Sequence, residues 1–144
     1  TPAVAAYPIT TLEPNLGVVK FANKNFVFAD IPGLIEGASS GRGLGHVFLK
    51  HIERTKILVH LIDATGANLW ENYQTIKSEL KVYSKELAKK KEIIVISKTD
   101  LISDLQKEEI GRVFAAHRKK PLFISADKNL GVEVLLKILS KKLK

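Results

Sequence analysis

The stretch EIIVISKTD, residues 92–100, joins a buried strand to a polar segment and decides which fold the rest of the sequence supports. Its four consecutive β-branched residues, 93–96, predict a strand that is covered on both faces, as in parallel sheets. The run ends abruptly in the tetrapeptide SKTD, 97–100. Because ligands of open α/β sheets bind beyond the carboxyl ends of the strands, this ending predicts a ligand site.

Strand and helix patterns alternate on both sides of this segment. An apolar spacing of four and three residues predicts one amphipathic helix from Leu69 to Leu87, and Ser103 with Gln106 predicts a capped helix over 103–117. The alternation predicts the α/β class, a mostly parallel sheet with helices on both faces. The other predicted elements are a hairpin of strands 16–21 and 25–30, a helix at 45–54, strands at 56–63 and 121–125, and a last helix at 129–142.

The composition predicts one globular domain over 1–144, since the chain has 144 residues of which 45% are hydrophobic. No apolar run approaches the roughly 20 residues of a membrane-spanning helix, and the absence of cysteine agrees with a cytoplasmic protein. The chain also contains no methionine, so we expect a fragment or a processed piece of a longer product.

The net charge of +8 lies entirely in the second half of the chain. Residues 76–144 hold 17 basic and 9 acidic residues, whereas residues 1–75 hold six of each. A basic surface favours polyanions, although charge scattered along helices is also what a well-solvated surface requires.

Several strings resemble the Obg family of translation-factor-class GTPases: YPITTLEPNLGVV (7–19), DIPGLIEGAS (30–39), GLGHVFLKHIERT (43–55), SKTD (97–100) and ISA (124–126). The resemblance implies a small GTPase-like fold of the P-loop NTPase type. It also implies GTP binding and hydrolysis with Mg²⁺, action in ribosome assembly or stress response, ribosomal RNA or a ribosomal subunit as partner, and an upstream glycine-rich domain. A second hypothesis is a nucleotide-independent RNA-binding or ribosome-binding module that uses the basic second half.

The resemblance assigns nucleotide-binding residues to four segments and a metal-binding role to Thr11 and Asp30. An aspartate accepts two hydrogen bonds from guanine that adenine cannot donate, so Asp100 is expected to select the base. The four segments are Ile9, Thr10, Thr11, Leu12 and Glu13; Asp30, Ile31, Pro32 and Gly33; Ser97, Lys98, Thr99 and Asp100; and Ser125, Ala126 and Asp127.

Single positions within these segments carry further expectations. Ser97 stands where the family has asparagine, the stem of Lys98 lies over the base or ribose, and the Ala126 N–H meets the guanine oxygen. Gly33 allows close approach of its backbone N–H to the γ-phosphate. Leu34 follows it and cannot orient water, so hydrolysis is expected to be slow and no residue is assigned a catalytic role.

Two features of the sequence complete the expectations. The glycines at 37, 41, 43 and 45 suit a segment that γ-phosphate orders and hydrolysis releases. No G-x-x-x-x-G-K-[ST] string is present, so the first strand and the phosphate loop are expected to be missing and nucleotide binding to be weak. The remaining candidates are interpreted as structural: Asp63, Trp70, His46, His51 and His60.

Overall fold

The computed structural model describes residues 3–4, 16–21, 23–29 and 56–143. They belong to two compact units, of which the first comprises Thr1–Lys56 with Ile76–Lys90 and the second Ile57–Thr75 with Lys91–Lys144. The prediction of a single domain over 1–144 stays a prediction. The strands are β1 Ala3–Val4, β2 Leu16–Phe21, β3 Lys24–Ala29, β4 Ile57–Asp63, β5 Lys91–Ser97 and β6 Leu122–Phe123; the helices are α1 Leu69–Tyr83, α2 Lys85–Ala88, α3 Asp104–Ala116 and α4 Val132–Lys142.

The first unit contains the predicted hairpin. Strands β2 and β3 pair antiparallel from Leu16↔Ala29 to Phe21↔Lys24, and the turn between them holds Asn23 at φ 61°. Asparagine tolerates this left-handed conformation better than most residues do, which explains the tight reversal. Strand β1, which the sequence did not predict, pairs with β2 through Ala3↔Val18.

The second unit contains a parallel sheet in the order β4–β5–β6, and the predicted α/β class is confirmed. The register places Asp63 opposite Ser97 and Ile96 opposite Phe123. Strand β5 is the central strand, and its Val95 and Ile96 have no exposed surface, as a run of β-branched residues covered on both faces requires.

The predicted helix from Leu69 to Leu87 is wrong in one respect, because the structure divides it at Ser84. This residue has extended backbone angles, φ −156° and ψ 114°, and its hydroxyl accepts a hydrogen bond from the Leu87 N–H at 3.1 Å. Serine competes for backbone donors in this way at helix starts, so it begins the short helix α2 where the apolar spacing alone predicts continuation.

Helix α3 begins and ends through identifiable hydrogen bonds. The predicted capping box is confirmed, with Ser103 and Gln106 each accepting from the other's backbone N–H. At the other end the chain reverses through Arg118, whose φ is 60°, while the Lys119 N–H donates to the Phe114 carbonyl at 3.0 Å. This is a Schellman ending, in which glycine is the preferred left-handed residue.

The core of the second unit lies between the parallel sheet and helices α1 and α3. Phe114 has no exposed surface, and the ring centroids of Trp70 and Phe114 lie 5.3 Å apart, which confirms the packing role predicted for Trp70. The Tyr73 hydroxyl donates to Glu92 at 2.8 Å, and burial, followed by this bond to Glu92, raises the pKa of the Tyr73 phenol. The buried members are Ile62, Ala64, Tyr73, Ile94, Ile96 and Phe114.

His60 packs against the same core and takes part in no metal site among the described residues. His60 packs on Tyr73 at 4.8 Å and places its Nδ1 3.4 Å from Glu92 Oε1, but no described group of three or more His, Cys, Asp or Glu residues could hold a metal ion. Within the same residues, every helix is too short or too polar to cross a bilayer.

Gly131→Ala is expected to destabilise the second unit by about 2 kcal/mol or more, because Gly131 has φ 76° and an added Cβ would lie 2.5 Å from the Phe123 carbonyl oxygen. Urea unfolding measures the change. Gly66→Ala is the control, since its Cβ would meet its nearest atoms at 3.4 Å and its free energy of unfolding should change by less than about 0.5 kcal/mol. Equal stability of the two variants would contradict this account.

Candidate nucleotide-binding site

The site begins where β4 and β5 end side by side. The two strands are parallel and in register, so the Asp63 and Ser97 backbones are neighbours at one edge of the sheet. The Ala64 N–H donates to the Ser97 carbonyl at 3.0 Å, and the Ser97 hydroxyl donates to the Ile62 carbonyl at 3.2 Å. The residue that replaces the family's asparagine therefore ties the start of the SKTD segment to β4.

Lys98 adopts an unusual backbone conformation and forms an ion pair across this edge. Its φ of 59° and ψ of 34° are uncommon for a residue with a side chain, and such conformations cluster at functional sites. The Lys98 Nζ lies 2.9 Å from Asp63 Oδ2, with 59% of the lysine and 44% of the aspartate side chain exposed. At this exposure solvent screens the pair, so its main consequence is to orient the lysine.

Asp63 is held by a second residue as well. Its Oδ1 accepts from the Thr65 hydroxyl at 2.7 Å and from the Thr65 N–H at 2.9 Å. Three interactions lower the pKa of Asp63 from 3.8 to about 2. The hydrogen bond from the Thr65 hydroxyl has the largest effect, followed by the bond from the Thr65 N–H and the bond from Lys98. An aspartate is ionised near neutrality in any case, so the contribution of the Thr65 bonds there is to orient the Asp63 carboxylate.

The end of the SKTD segment is joined to the residues that follow β6. The Thr99 N–H and hydroxyl both donate to the Ile124 carbonyl, at 3.2 and 2.9 Å. The Ser125 hydroxyl donates to Asp100 Oδ1 at 2.7 Å. These bonds place Thr99 and Asp100, in a single 3₁₀ turn, directly beside Ser125.

Ser125 is fixed from three sides and is fully buried. Its backbone exchanges two hydrogen bonds with Leu130, both at 2.9 Å, which closes the loop 126–129. Its hydroxyl oxygen accepts from the Lys128 N–H at 3.1 Å, so the hydroxyl proton is directed to Asp100. The loop that this arrangement closes presents Ala126 and Asp127 as exposed residues.

The structure thus brings together two of the four segments predicted from the sequence, 97–100 and 125–127. The other two, Ile9 to Glu13 and Asp30 to Gly33, lie outside the described residues, as do Leu34, the glycines of 37–45 and the helix predicted at 45–54. Binding by any of these residues stays a prediction.

Sequence reasoning missed the part that Asp63 and Thr65 play at this edge. The interpretation of Asp63 as structural stays a prediction, but its contact with Lys98, a predicted binding residue, is not one that the sequence predicts. Two signals were available: an aspartate followed two positions later by a threonine forms local side-chain hydrogen bonds, and neighbouring parallel strands end at the same edge. Only the register shows that these ends belong to adjacent strands.

The sequence profile of the 50S ribosome-binding GTPases matches residues 1–98. The chain belongs to this family. The Obg resemblance is confirmed by three curated relatives, each called GTPase Obg. The protein from Chloroflexus aurantiacus J-10-fl is 46% identical, and the match covers 94% of this chain and 32% of the relative. The protein from Rickettsia felis is 47% identical, with 99% of this chain and 44% of the relative covered. The protein from Endomicrobium trichonymphae is 52% identical, with 94% of this chain and 33% of the relative covered. The chain therefore spans less than half the length of each of these relatives.

A solved structure agrees with the fold. It is the crystal structure of Era in complex with MgGDPNP and nucleotides 1506–1542 of 16S ribosomal RNA, which matches with a TM-score of 0.63 over 92% of this chain and 45% of that chain. At 24% identity the likeness supports the α/β GTPase fold and no individual binding residue.

An NMR titration of the Asp63 carboxyl carbon is expected to show a midpoint at about 2 rather than 3.8. Because the folded pKa is the lower one, ionised Asp63 stabilises the fold above pH 3.8, and this contribution is lost as the pH falls through about 2. Thr65→Val removes the strongest hydrogen bond and should raise the midpoint. Thr75→Val, the same change on the exposed part of α1, should leave it unaltered, and a wild-type midpoint near 3.8 would refute the assignment.

Proposed function

We propose that this chain binds guanine nucleotide with Mg²⁺ and hydrolyses GTP, as part of a switch protein of the Obg type. The observation that carries the proposal is the 2.7 Å hydrogen bond from the Ser125 hydroxyl to Asp100. It supports the assignment because it holds the SKTD segment and the Ser125–Ala126 segment beside each other at the carboxyl ends of β5 and β6. In this proposal one base contacts both segments at the same time.

Base selection is assigned to the Asp100 carboxylate. A carboxylate has about four acceptor positions, so the bond from Ser125 leaves acceptors for the ring N–H and the amino group of guanine. Adenine has an acceptor nitrogen in place of that ring N–H, and its C2, the carbon that bears the amino group in guanine, bears only hydrogen. Bound adenine would leave the carboxylate without its partners, which is the costly outcome for a charged group. The exposed Ala126 then offers its backbone N–H to the guanine oxygen.

Lys98 is assigned to the nucleotide as a positioned cation. The contact with Asp63 holds its ammonium group at the edge of the sheet, and its aliphatic stem is proposed to cover a base or ribose. The bonds from Thr65 to Asp63 Oδ1 orient the carboxylate whose other oxygen contacts Lys98. Asp63 and Thr65 are therefore positioning residues in this proposal.

The phosphate side of the proposal rests on the family resemblance. Thr11 and Asp30 supply hydroxyl and carboxylate oxygens, the donor types that Mg²⁺ accepts, and both would hold the ion. When bound, Mg²⁺ neutralises charge on the β- and γ-phosphates. The Gly33 N–H would contact the γ-phosphate and respond to its loss, which couples hydrolysis to the following glycine-rich segment.

The proposed partner is a ribosomal subunit or its RNA. Support comes from the family, whose name describes ribosome-binding GTPases, and from the Era structure, which contains a segment of 16S ribosomal RNA. Action in ribosome assembly or in a stress response, a cytoplasmic location and an upstream glycine-rich domain belong to the same proposal.

Asp100→Asn is expected to weaken GTP binding by about 100-fold, the effect of losing charge-assisted bonds to two donors. The measurement is an equilibrium titration of fluorescent GTP, ATP and xanthosine triphosphate with Mg²⁺. It uses the full gene product that contains this chain, because the chain matches under half of each relative described above. An amide offers one acceptor and one donor, which matches the ring N–H and adjacent carbonyl of xanthine, so the variant should gain affinity for that base.

Asp104→Asn is the matched control, since it removes the same charge from the exposed first turn of α3 and should leave all three affinities unchanged. Wild-type protein that binds GTP and ATP equally would refute base selection by this site. If Asp100→Asn lost GTP without gaining xanthosine triphosphate, Asp100 would be a structural residue, and its assignment to the base would be wrong.

A further inference from the structure

A cationic groove lies beside β6, the outer strand of the three-stranded parallel sheet. It has a volume of about 590 Å³ and is separate from the SKTD segment, since it extends from Phe123 toward the amino end of β6. It is lined by the cationic residues Arg118, Lys119 and Lys120, here called the rim, and by uncharged residues that include Gly111, Pro121 and Phe123, here called the floor. None of the described residues that line it is acidic.

The rim concentrates positive charge on a short, well-defined turn. Arg118, Lys119 and Lys120 are consecutive and all exposed, and the Schellman bonds at the end of α3 fix the backbone that carries them. A fourth cation, Lys107, lies with its Nζ 5.2 Å from the centroid of the Phe123 ring. A row of cations on a fixed backbone beside apolar residues suits a ligand that alternates charged groups with flat apolar ones.

Arg118 is an unfavourable residue for the backbone conformation that it adopts. At φ 60° glycine would be preferred by roughly 1 kcal/mol, since a side chain in the left-handed region crowds the backbone. The helix would end equally well, and more stably, with glycine. The arginine, which lines the groove, is therefore explained better by its charged side chain than by the stability of α3.

Gly111, inside the same helix, is the opposite case, a glycine at a position where alanine would be more stable. Glycine within a helix is less stable than alanine by about 0.5–1 kcal/mol, and Gly111 lies well inside α3. An added Cβ would lie 3.9 Å from Phe123 Cζ, an ordinary contact, so space does not exclude alanine. The absent side chain leaves the edge of the Phe123 ring open to the groove.

Gly111 and Arg118 both line this groove, and each is the less stable choice at its position. Gly111 lies where a side chain would stabilise α3, and Arg118 lies where glycine would stabilise the end of that helix. Such departures are expected at functional sites, where a binding surface outweighs local stability. We propose that this groove binds single-stranded RNA, with phosphates on the Arg118–Lys120 rim and a base or ribose against Phe123. The proposal rests on the RNA partner proposed above and names its binding surface, and it stands whether or not Asp100 selects guanine.

RNA is favoured over other anionic partners by the shape and chemistry of the groove. Phosphate contacts account for the cations, and single-stranded RNA exposes bases that pack on aromatic and apolar side chains. A membrane surface requires apolar groups that project outward, whereas Phe123 forms the floor of a concavity. A polyphosphate would use the rim and leave the floor without a role.

The test measures the binding of a fluorescent 12-nucleotide RNA by anisotropy across a salt series, with the full gene product. Arg118→Gly should weaken binding roughly 5–10-fold and reduce the slope of log K against log salt by about 0.7, the effect of one lost phosphate contact on a single strand. The same variant should unfold at an equal or higher temperature, because glycine suits the left-handed position. A loss of RNA affinity without loss of stability separates a binding residue from a structural one.

Gly111→Leu fills the groove and should weaken binding about 10-fold without changing the salt slope; Gly111→Ala should have a smaller effect and a raised unfolding temperature. Arg112→Gln is the control, since Arg112 is a guanidinium of the same helix that pairs with Glu109 at 3.1 Å, and its RNA affinity should match the wild type.

Three outcomes would overturn the proposal: no RNA binding by the wild type, unchanged affinity in folded Arg118→Gly, or a polyphosphate of matched charge that competes as well as RNA. The last outcome would assign the rim to polyanions in general. GTP binding, titrated on the same variants, should be unaltered. A protein that binds RNA through this groove but binds no GTP would refute the proposed function and leave this inference intact.

Discussion

The hydrogen bond from the Ser125 hydroxyl to Asp100 is the contact on which the candidate site depends. Ser125 is buried, and its hydroxyl oxygen accepts a hydrogen bond from the Lys128 N–H. Its hydroxyl proton is donated to Asp100. Because an unpaired hydroxyl or carboxylate is costly in a buried position, the two loops that carry these residues are held in one arrangement. Two segments far apart in the sequence thereby lie beside each other at the carboxyl ends of β5 and β6.

The second contact at this edge of the sheet depends on the parallel register of β4 and β5. It aligns the ends of β4 and β5, and the contact of Asp63 with Lys98 follows from that alignment. The two contacts differ in their exposure: the bond from the buried Ser125 to Asp100 is partly buried, whereas the ion pair of Lys98 is exposed and screened. The site therefore combines a fixed acceptor at Asp100 with a cation at Lys98 that is oriented yet able to exchange partners when a ligand arrives.

Helix α3 serves both the fold and a separate surface. Its capping box and its Phe114 side chain stabilise the second unit, while Gly111 and Arg118 each reduce the stability of the helix. Both of these residues line the cationic groove beside β6. If the groove binds RNA, a GTPase-type domain would carry its nucleotide at the carboxyl ends of the strands and its RNA beside the outer strand, so that either ligand can bind while the other is present.

The sequence by itself determined the α/β class, the hairpin, the capped helix α3 and the family, because burial periodicity, caps and long motif strings are local properties of the chain. It did not predict the break at Ser84, where a side-chain cap overrides the apolar spacing, and it interpreted Asp63 as structural. It predicted binding at SKTD and at Ser125, yet it contained no information that Ser125 touches Asp100. Only the tertiary structure decided which strand ends are neighbours, that Lys98 pairs with Asp63, and that Gly111 and Arg118 line one groove, because such contacts depend on register and packing between residues distant in sequence.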